Sequence, residues 1–211
     1  PGGQKPIGNQ NIRISHNINV NENTATLATL TVDDSKTLTL SAGNTVTVSG
    51  ASDINGTISV SGIYDANGAF DATGGTISIG SGGTVSLAST ITDLGTLTNN
   101  GTLSIDGSGT QTIPGNTSKG VQVLCAPSGP KGTLKIEGGG KVTYDTDGTD
   151  FQIQGNLTFS GGTDMEVDNT GGTKVTIYSA TTITGADDNN HIIGSSGDVS
   201  IEYNSSSTDP K

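Results

Sequence analysis

The sequence predicts an all-β fold, a right-handed parallel β-helix (a β-solenoid) whose coils differ in length. Three observations predict it. Short segments with two apolar residues around one polar residue recur along the chain, and threonine, a good strand former, flanks them. Glycine-containing turns separate these segments. No window shows the 3.6-residue apolar period of an amphipathic helix with capping residues.

The recurring segment is the clearest sign of a solenoid. Its apolar pairs begin at positions 38, 58, 77, 103 and 134, so the intervals are 20, 19, 26 and 31 residues. The short intervals match a minimal coil, and the longer ones indicate loop insertions. The segments are Thr37-Leu38-Thr39-Leu40, Thr57-Ile58-Ser59-Val60, Thr76-Ile77-Ser78-Ile79, Thr102-Leu103-Ser104-Ile105 and Thr133-Leu134-Lys135-Ile136.

A second strand is expected eight residues after the first in several coils. The turns between the two strands have glycine in the third position (Gly43, Gly82 and Gly139), where a sharp corner requires a positive φ. The strand pairs are Leu38/Leu40 with Val46/Val48, Ile77/Ile79 with Val85/Leu87, and Leu134/Ile136 with Val142/Tyr144. In the coil that begins at Leu103, the second strand keeps Ile113 but has Gln111 at the other inward position. The coil that begins at Ile58 has no second strand at this spacing.

Strand residues alternate between two sides, so the apolar residues of each segment face inward and Thr or Ser faces outward. Recurrence at about 20 residues favours stacking of each coil on the one before it. The alternative is an antiparallel β-sandwich with hairpins at Asn55-Gly56, Asn67-Gly68 and Asn100-Gly101.

The whole chain, 1–211, is expected to form one β-helix domain. Within it, 1–32 forms the first coils and 33–160 the most regular ones. Residues 161–203 form less regular end coils, and 204–211 is a frayed tail. The end coils hold the expected strands Met165-Glu166-Val167, Val175-Thr176-Ile177 and Val199-Ser200-Ile201.

Charge and composition exclude some classes of function. The net charge is −11 and Arg13 is the single arginine, which argues against nucleic acid as a partner. No apolar run approaches the ~20 residues of a membrane span. The lone cysteine, Cys125, cannot form an internal disulfide and is expected to act as a buried small apolar residue.

The run from Leu30 to Val60, LTVDDSKTLTLSAGNTVTVSGASDINGTISV, carries a family resemblance. It resembles the repetitive β-helical modules of large secreted and cell-surface proteins of bacteria, such as haemagglutinin-like adhesins. The resemblance extends over about residues 18 to 160. It implies an extracellular location and a structural or adhesive role, and it implies no catalytic residue.

Calcium is the best candidate for a cofactor. Asp145, Asp147 and Asp150 surround a glycine turn, and hard cations bind several oxygens on a tight loop. The stretch from Asp65 to Asp71 is a looser version of the same pattern. No other cofactor is expected, because the sequence has no cluster of zinc-ligand spacing.

Signs of catalysis are weak in this sequence. Gly185-Ala186-Asp187-Asp188 resembles one step of the polygalacturonase pattern, but the other steps of that pattern are absent. His16 and His191 have no serine or cysteine partner at a recognisable spacing. We therefore expect a protein that is not an enzyme.

The expected function is that of a non-catalytic extracellular structural or adhesive module at a cell surface. The open sheet edges of the end coils suggest a partner, because such edges invite strand pairing. We expect self-association end to end, as in a surface filament, or pairing with neighbouring solenoid coils, and surface polysaccharide is a further candidate partner. The alternative is a carbohydrate-active β-helix that binds or cleaves polysaccharide.

Overall fold

A computed structural model describes residues 6–115, 122–125, 132–138, 141–145, 151–160, 164–168, 175–177, 182–184 and 192–196. These residues form 24 β-strands and no helix. Every strand pair among them is parallel. The protein is therefore a parallel β-solenoid, as predicted from the recurring segment.

Three strands make up a regular coil, one on each of three faces. The first face contains β1 (Asn11–Ile14), β3 (Thr29–Val32), β6 (Ser52–Ile54), β9 (Phe70–Asp71) and β12 (Ile91–Asp93). The second contains β2 (Ile18–Val20), β4 (Thr37–Leu40), β7 (Thr57–Val60), β10 (Thr76–Ile79) and β13 (Thr96–Asn99). The third contains β5 (Thr45–Val48), β8 (Ile63–Ala66), β11 (Thr84–Leu87), β14 (Thr102–Ile105), β17 (Thr133–Ile136), β20 (Asn156–Phe159) and β23 (Thr182–Thr184).

Two further sheets belong to the later coils. One contains β15 (Gln111–Pro114), β18 (Lys141–Asp145), β21 (Asp164–Asp168) and β24 (Ile192–Ser196), and β15 packs against β12 of the first face. The other contains β16 (Gln122–Cys125), β19 (Phe151–Ile153) and β22 (Val175–Ile177), and β16 packs against β13 of the second face. Among the described strands, only the third face runs as one hydrogen-bonded sheet past this junction.

The core is a column of inward-facing side chains. In β4, for example, Leu38 and Leu40 are buried while Thr37 and Thr39 keep partial exposure. Each equivalent pair in the next coil stacks on the one before, in register. All ten residues predicted to face inward are buried: Leu38, Leu40, Ile58, Val60, Ile77, Ile79, Leu103, Ile105, Leu134 and Ile136.

These ten residues do not all lie on one face. Ile77 pairs with Leu97 in the next coil, whereas Leu103 and Leu134 lie on the third face, in β14 and β17. The sequence of β13 departs from the recurring pattern, because Asn99 takes the position of its second apolar residue. Val142, eight residues after Leu134, accordingly lies on β18, in the sheet that follows the third face along the sequence.

The coil that begins at Ile58 does have a second strand. Its partner is β8, in which Tyr64 and Ala66 face inward, six residues after Ile58 and Val60. The corner before β8 has two residues where the corner before β5 has four. A spacing of eight residues therefore does not predict β8.

Glycine at the corners acts as predicted at Gly43 and Gly82, whose φ angles are 77° and 79°. Other corner glycines are required for space, since a Cβ on Gly62 would lie 2.2 Å from the Asn44 carbonyl oxygen. In the corner after β17 the positive φ belongs to Gly138, at 92°, while Gly139 lies outside the described residues.

The antiparallel alternative is wrong, because the Asn-Gly steps are not hairpins. Asn55-Gly56, Asn67-Gly68 and Asn100-Gly101 each lie at a corner between strands of two different faces. Such a corner turns the backbone onto the next face, where it pairs with the previous coil.

The expected strands near the two ends of the sequence are present where the structure describes them. β1, β2 and β3 lie before position 33, and β21 and β22 contain the Met165 and Val175 segments. The expected strand from Val199 to Ile201 and the tail 204–211 lie outside the described residues. The division of the sequence into segments stays a prediction.

Candidate functional site

The second face presents two straight files of hydroxyl groups to the outside. The outward residues of consecutive coils are Cα partners, so neighbouring hydroxyls in a file are about 4.8 Å apart. One file is Thr37, Thr57, Thr76 and Thr96, and the other is Thr39, Ser59, Ser78 and Thr98. Such files can donate and accept hydrogen bonds with water or with the hydroxyls of a polysaccharide.

The third face carries a charged strip in which polar residues of one coil bind those of the next. The Ser86 hydroxyl donates to Asp106 Oδ2 over 2.6 Å, and the Ser104 hydroxyl donates to Glu137 Oε1 over 2.6 Å. Lys135 forms an ion pair with Glu137, whose side chain is 27% exposed. In each serine–carboxylate pair the carboxylate comes from the later coil, so the strip reinforces the stack.

The environment of Glu137 favours its ionised form. Partial burial alone would raise the pKa of this carboxyl group. The hydrogen bonds from Lys135 and Ser104, the charge of Lys135 and the hydrogen bond from Ser160 outweigh that effect, so the pKa lies below its ordinary value. At neutral pH the strip therefore holds an ionised carboxylate within its hydrogen bonds.

Two buried amides join the coils where the first and second faces are interrupted. Asn99 Nδ2 donates to the carbonyl oxygens of Leu124 and Thr133, each over 3.0 Å, and Asn99 Oδ1 accepts from the Gly101 amide. Gln111 Nε2 donates to the carbonyl oxygens of Leu87 and Ser89. These side chains bind backbone groups of other coils at the junction, and the Leu87 carbonyl oxygen accepts from the Asp106 amide as well.

Gln111 also accepts a hydrogen bond from the Gly107 amide through Oε1. The prediction that it faces inward is confirmed, since it is 4% exposed next to the fully buried Ile113. A buried amide with all of these bonds fixes the register of the coil rather than binding an external ligand.

The hydroxyl group of one buried tyrosine has its hydrogen-bond partner on the opposite side of the core. Tyr64 on the third face donates its hydroxyl hydrogen to Ser52 Oγ on the first face over 2.8 Å, and the small Ser52 leaves room for the ring. Burial raises the pKa of Tyr64, and the bond with Ser52 offsets part of that rise. Phe70 contacts the ring edge to face, with centroids 6.4 Å apart.

The outer edge of the first coil is not covered by any described strand. β1 pairs with β3 and β2 pairs with β4, and neither pairs on its other side with any strand that the structure describes. Ile18 occupies the inward file of the second face, directly before Leu38, yet 42% of it is exposed while Leu38 is 3% exposed. The inward apolar file therefore continues to this end with nothing described on top of it.

Asparagine residues complete the side of the first coil that faces the second coil. Asn17 Oδ1 accepts from the Thr37 amide at 3.0 Å, and Asn23 Oδ1 accepts from the Thr45 amide at 2.9 Å. In the following coil the Thr57 amide donates instead to a backbone carbonyl, that of Lys36. The first coil thus satisfies its neighbour, and no described strand pairs with its other edge.

Most of the predicted calcium site lies outside the described residues. Asp147 and Asp150 lie outside the described residues, and so does the side chain of Asp145 at the end of β18. In the looser version the two aspartates bind neighbouring side chains. Asp65 accepts from Asn67 and Asp71 accepts from Thr73, and the two aspartates lie on different faces. Among the described residues, no three His, Cys, Asp or Glu gather in a group that could hold a metal.

The residues considered for catalysis do not form a site where the structure describes them. His16 Nδ1 lies 3.2 Å from the hydroxyl of its neighbour Ser15 at an exposed position, and no further member of a triad contacts them within the described ranges. The segment Gly185 to Asp188, together with His191, lies outside those ranges. The aromatic residues whose burial is described, Tyr64, Phe70, Phe151 and Phe159, are all buried.

The charged strip and the exposed Ile18 were missed at the sequence level. A signal for the strip exists, because Asp106 and Glu137 each directly follow a Leu-x-Ile segment. No such signal marks Ile18, whose exposure depends on its place in the first coil. No helix in the described part is long and apolar enough to cross a membrane. No family model, curated protein or solved structure matches this sequence.

Proposed function

We propose that the protein is a non-catalytic structural or adhesive module of an extracellular, cell-surface protein. In this proposal copies of it associate end to end through the open edge of the first coil. A column of stacked coils supplies stiffness, and its polar outer faces supply a surface for polysaccharide. The observation that carries the proposal is the 42% exposure of Ile18, whereas the next three members of its file, Leu38, Ile58 and Ile77, are buried.

The free edge of β1 and β2 offers both backbone pairing and apolar contact. Its occupant in this proposal is the last coil of a second copy, because strands at both ends belong to stacked sheets of one solenoid and pair in parallel. A contact between unlike ends of identical molecules propagates without closing and gives a filament.

Net charge favours axial over lateral association. At −11, two copies repel one another along their sides, where the repulsion is not offset by strand pairing. An axial contact adds backbone hydrogen bonds and buries the exposed part of Ile18. Filaments one solenoid wide are the expected product, rather than bundles.

Two variants with the same change of charge test this proposal. Ile18→Lys places a cation in the axial contact, whereas Ile63→Lys places it on the outer surface of the third face, where Ile63 is 46% exposed. Light scattering and negative-stain electron microscopy at rising concentration should show filaments for the unchanged protein and for Ile63→Lys, and monomers for Ile18→Lys. Strictly monomeric behaviour of the unchanged protein, or equal loss in both variants, would reject end-to-end association.

A separate assay addresses catalysis and adhesion. The protein is incubated with acidic and neutral polysaccharides, and both released reducing sugar and retention on the insoluble polymers are measured. Retention without release is expected of an adhesive module. Release of reducing sugar would reject the non-catalytic proposal and favour the carbohydrate-active alternative.

A further inference from the structure

Two corners of the solenoid share one local sequence and differ in one hydrogen bond. Asp53-Ile54-Asn55-Gly56 and Asp65-Ala66-Asn67-Gly68 both have the pattern Asp-x-Asn-Gly. In both, the asparagine is exposed and its Nδ2 donates to the preceding aspartate, over 2.9 Å at Asn55 and 3.2 Å at Asn67. The two sites are therefore a natural matched pair.

The difference lies in the glycine amide that follows each asparagine. The Gly56 amide is buried and donates to the Val32 carbonyl over 3.1 Å. Gly68 is only half-buried, and its amide makes no hydrogen bond to any residue that the structure describes. At the third Asn-Gly step, the Gly101 amide is buried and donates to Asn99 Oδ1 over 3.1 Å.

This difference matters for the chemistry of asparagine, a thermolabile residue. The nitrogen of the following glycine attacks the amide carbon of the asparagine residue (Cγ), so that a new bond between nitrogen and Cγ closes a succinimide ring. The bond between Cγ and Nδ2 breaks, and ammonia leaves with the proton from the glycine nitrogen. Water then opens the ring at either carbonyl and yields aspartate or isoaspartate. The reaction consumes one water and releases one ammonia.

We propose that Asn67 is the site of spontaneous deamidation in this protein, with water as the co-reactant. The attacking nitrogen must give up its proton and turn toward Cγ of the asparagine. At Gly56 and Gly101 that movement first breaks a hydrogen bond, and at Gly68 it breaks none. The net contribution of one such bond corresponds to about a fivefold slower reaction.

The product changes the corner between β8 and β9. A second carboxylate appears next to Asp65, and the isoaspartyl form lengthens the backbone by one atom. Space is lacking there, because even a Cβ on Gly68 would lie 2.2 Å from the Gly50 carbonyl oxygen. Deamidation at Asn67 therefore marks aged molecules with a negative charge and a loosened corner.

The test is incubation of the folded protein in mildly alkaline buffer made with ¹⁸O-water. Peptide mapping by mass spectrometry then gives the rate at each Asn-Gly step. Asn67 is expected to react about fivefold faster than Asn55 or Asn100. In denaturant the three rates should converge. The variant Asn67→Gln should abolish the fast phase, and Asn55→Gln should leave it.

Equal rates at Asn55 and Asn67 in the folded protein would overturn the proposal. So would a preference of the same size in denaturant, because it would then come from local sequence alone. Neither result bears on end-to-end association, which is measured separately.

Discussion

Replacement of Gly75 by alanine probes the closest approach between two coils. Gly75 lies at the corner before β10, and a Cβ there would stand 2.0 Å from the Ile54 carbonyl oxygen in the coil before. Its own amide donates to the Ala72 carbonyl over 2.8 Å, and its carbonyl accepts from the Thr96 amide in the next coil. The corner therefore cannot move without disturbing both neighbouring coils.

The size of the effect follows from this geometry. Carbon and oxygen atoms approach to about 3.3 Å without repulsion, so the corner must move by more than about 1 Å, a large part of the ~4.8 Å between coils. Overpacking of this kind costs about 1–3 kcal/mol, and each weakened corner hydrogen bond adds about 1 kcal/mol. We expect a loss of about 3 kcal/mol.

Thermal unfolding followed by circular dichroism measures this loss. At this length about 3 kcal/mol corresponds to a fall in Tm of roughly 6–12 °C. Gly109→Ala is the matched control, because a Cβ at Gly109 meets nothing within 4 Å and its φ is not positive. If Gly75→Ala melts at the same temperature as Gly109→Ala, the close packing of the corners is refuted.

Three further predictions concern buried or bonded polar groups. Asn99→Ala removes three buried hydrogen bonds between this side chain and the backbone, and chemical denaturation should show a loss of about 3 kcal/mol; a neutral result would mean that water replaces the amide. Because the pKa of Glu137 is lowered in the folded protein, its contribution is complete at neutral pH and is lost as the pH falls below about 4.5. The Tm of Glu137→Gln should therefore be less sensitive to acid than that of the unchanged protein, and identical profiles would contradict this. Tyr64→Phe leaves the buried Ser52 hydroxyl unpaired and should cost about 1–2 kcal/mol, which Tyr64→Phe with Ser52→Ala should partly recover.

The sequence predicted the parallel stack because the strand pattern is local. An apolar pair around a polar residue, as in Leu38-Thr39-Leu40, places its inward residues by alternation alone. Recurrence of that pattern then identified the stacking. The ten inward residues of the recurring segments are buried for this reason.

The assignment of strands to faces could not be predicted in the same way. Corners of four and of two residues both turn the backbone to the next face, as the corners before β5 and β8 show. Asn99 adds to the difficulty, since its partners come from residues 25 and 34 positions later in the sequence. Contacts between distant segments decide such a position, and they have no local pattern.

The candidate site was only partly accessible to sequence reasoning. The outward hydroxyl files follow from the same alternation as the core. The exposure of Ile18 does not, because its apolar character is the same as that of Ile58, which is 1% exposed. Only the position of β2 at the edge of the stack makes Ile18 a candidate contact.

The central claim is that the protein forms one continuous column in which each coil adds the same length, whatever its number of residues. Spin labels at Thr45, Thr102 and Asn156, in a Cys125→Ser background, test it directly. These partly exposed positions share one outward file of the third face, with Thr102 three coils and Asn156 five coils after Thr45.

Dipolar line broadening should give a backbone separation of about 14 Å from Thr45 to Thr102, and double electron–electron resonance should give about 24 Å from Thr45 to Asn156, after allowance for the label arms. The long segment between β14 and β17 should add only one coil spacing. A Thr45–Asn156 distance that grows with the number of intervening residues, or that does not exceed the Thr45–Thr102 distance, would contradict the column.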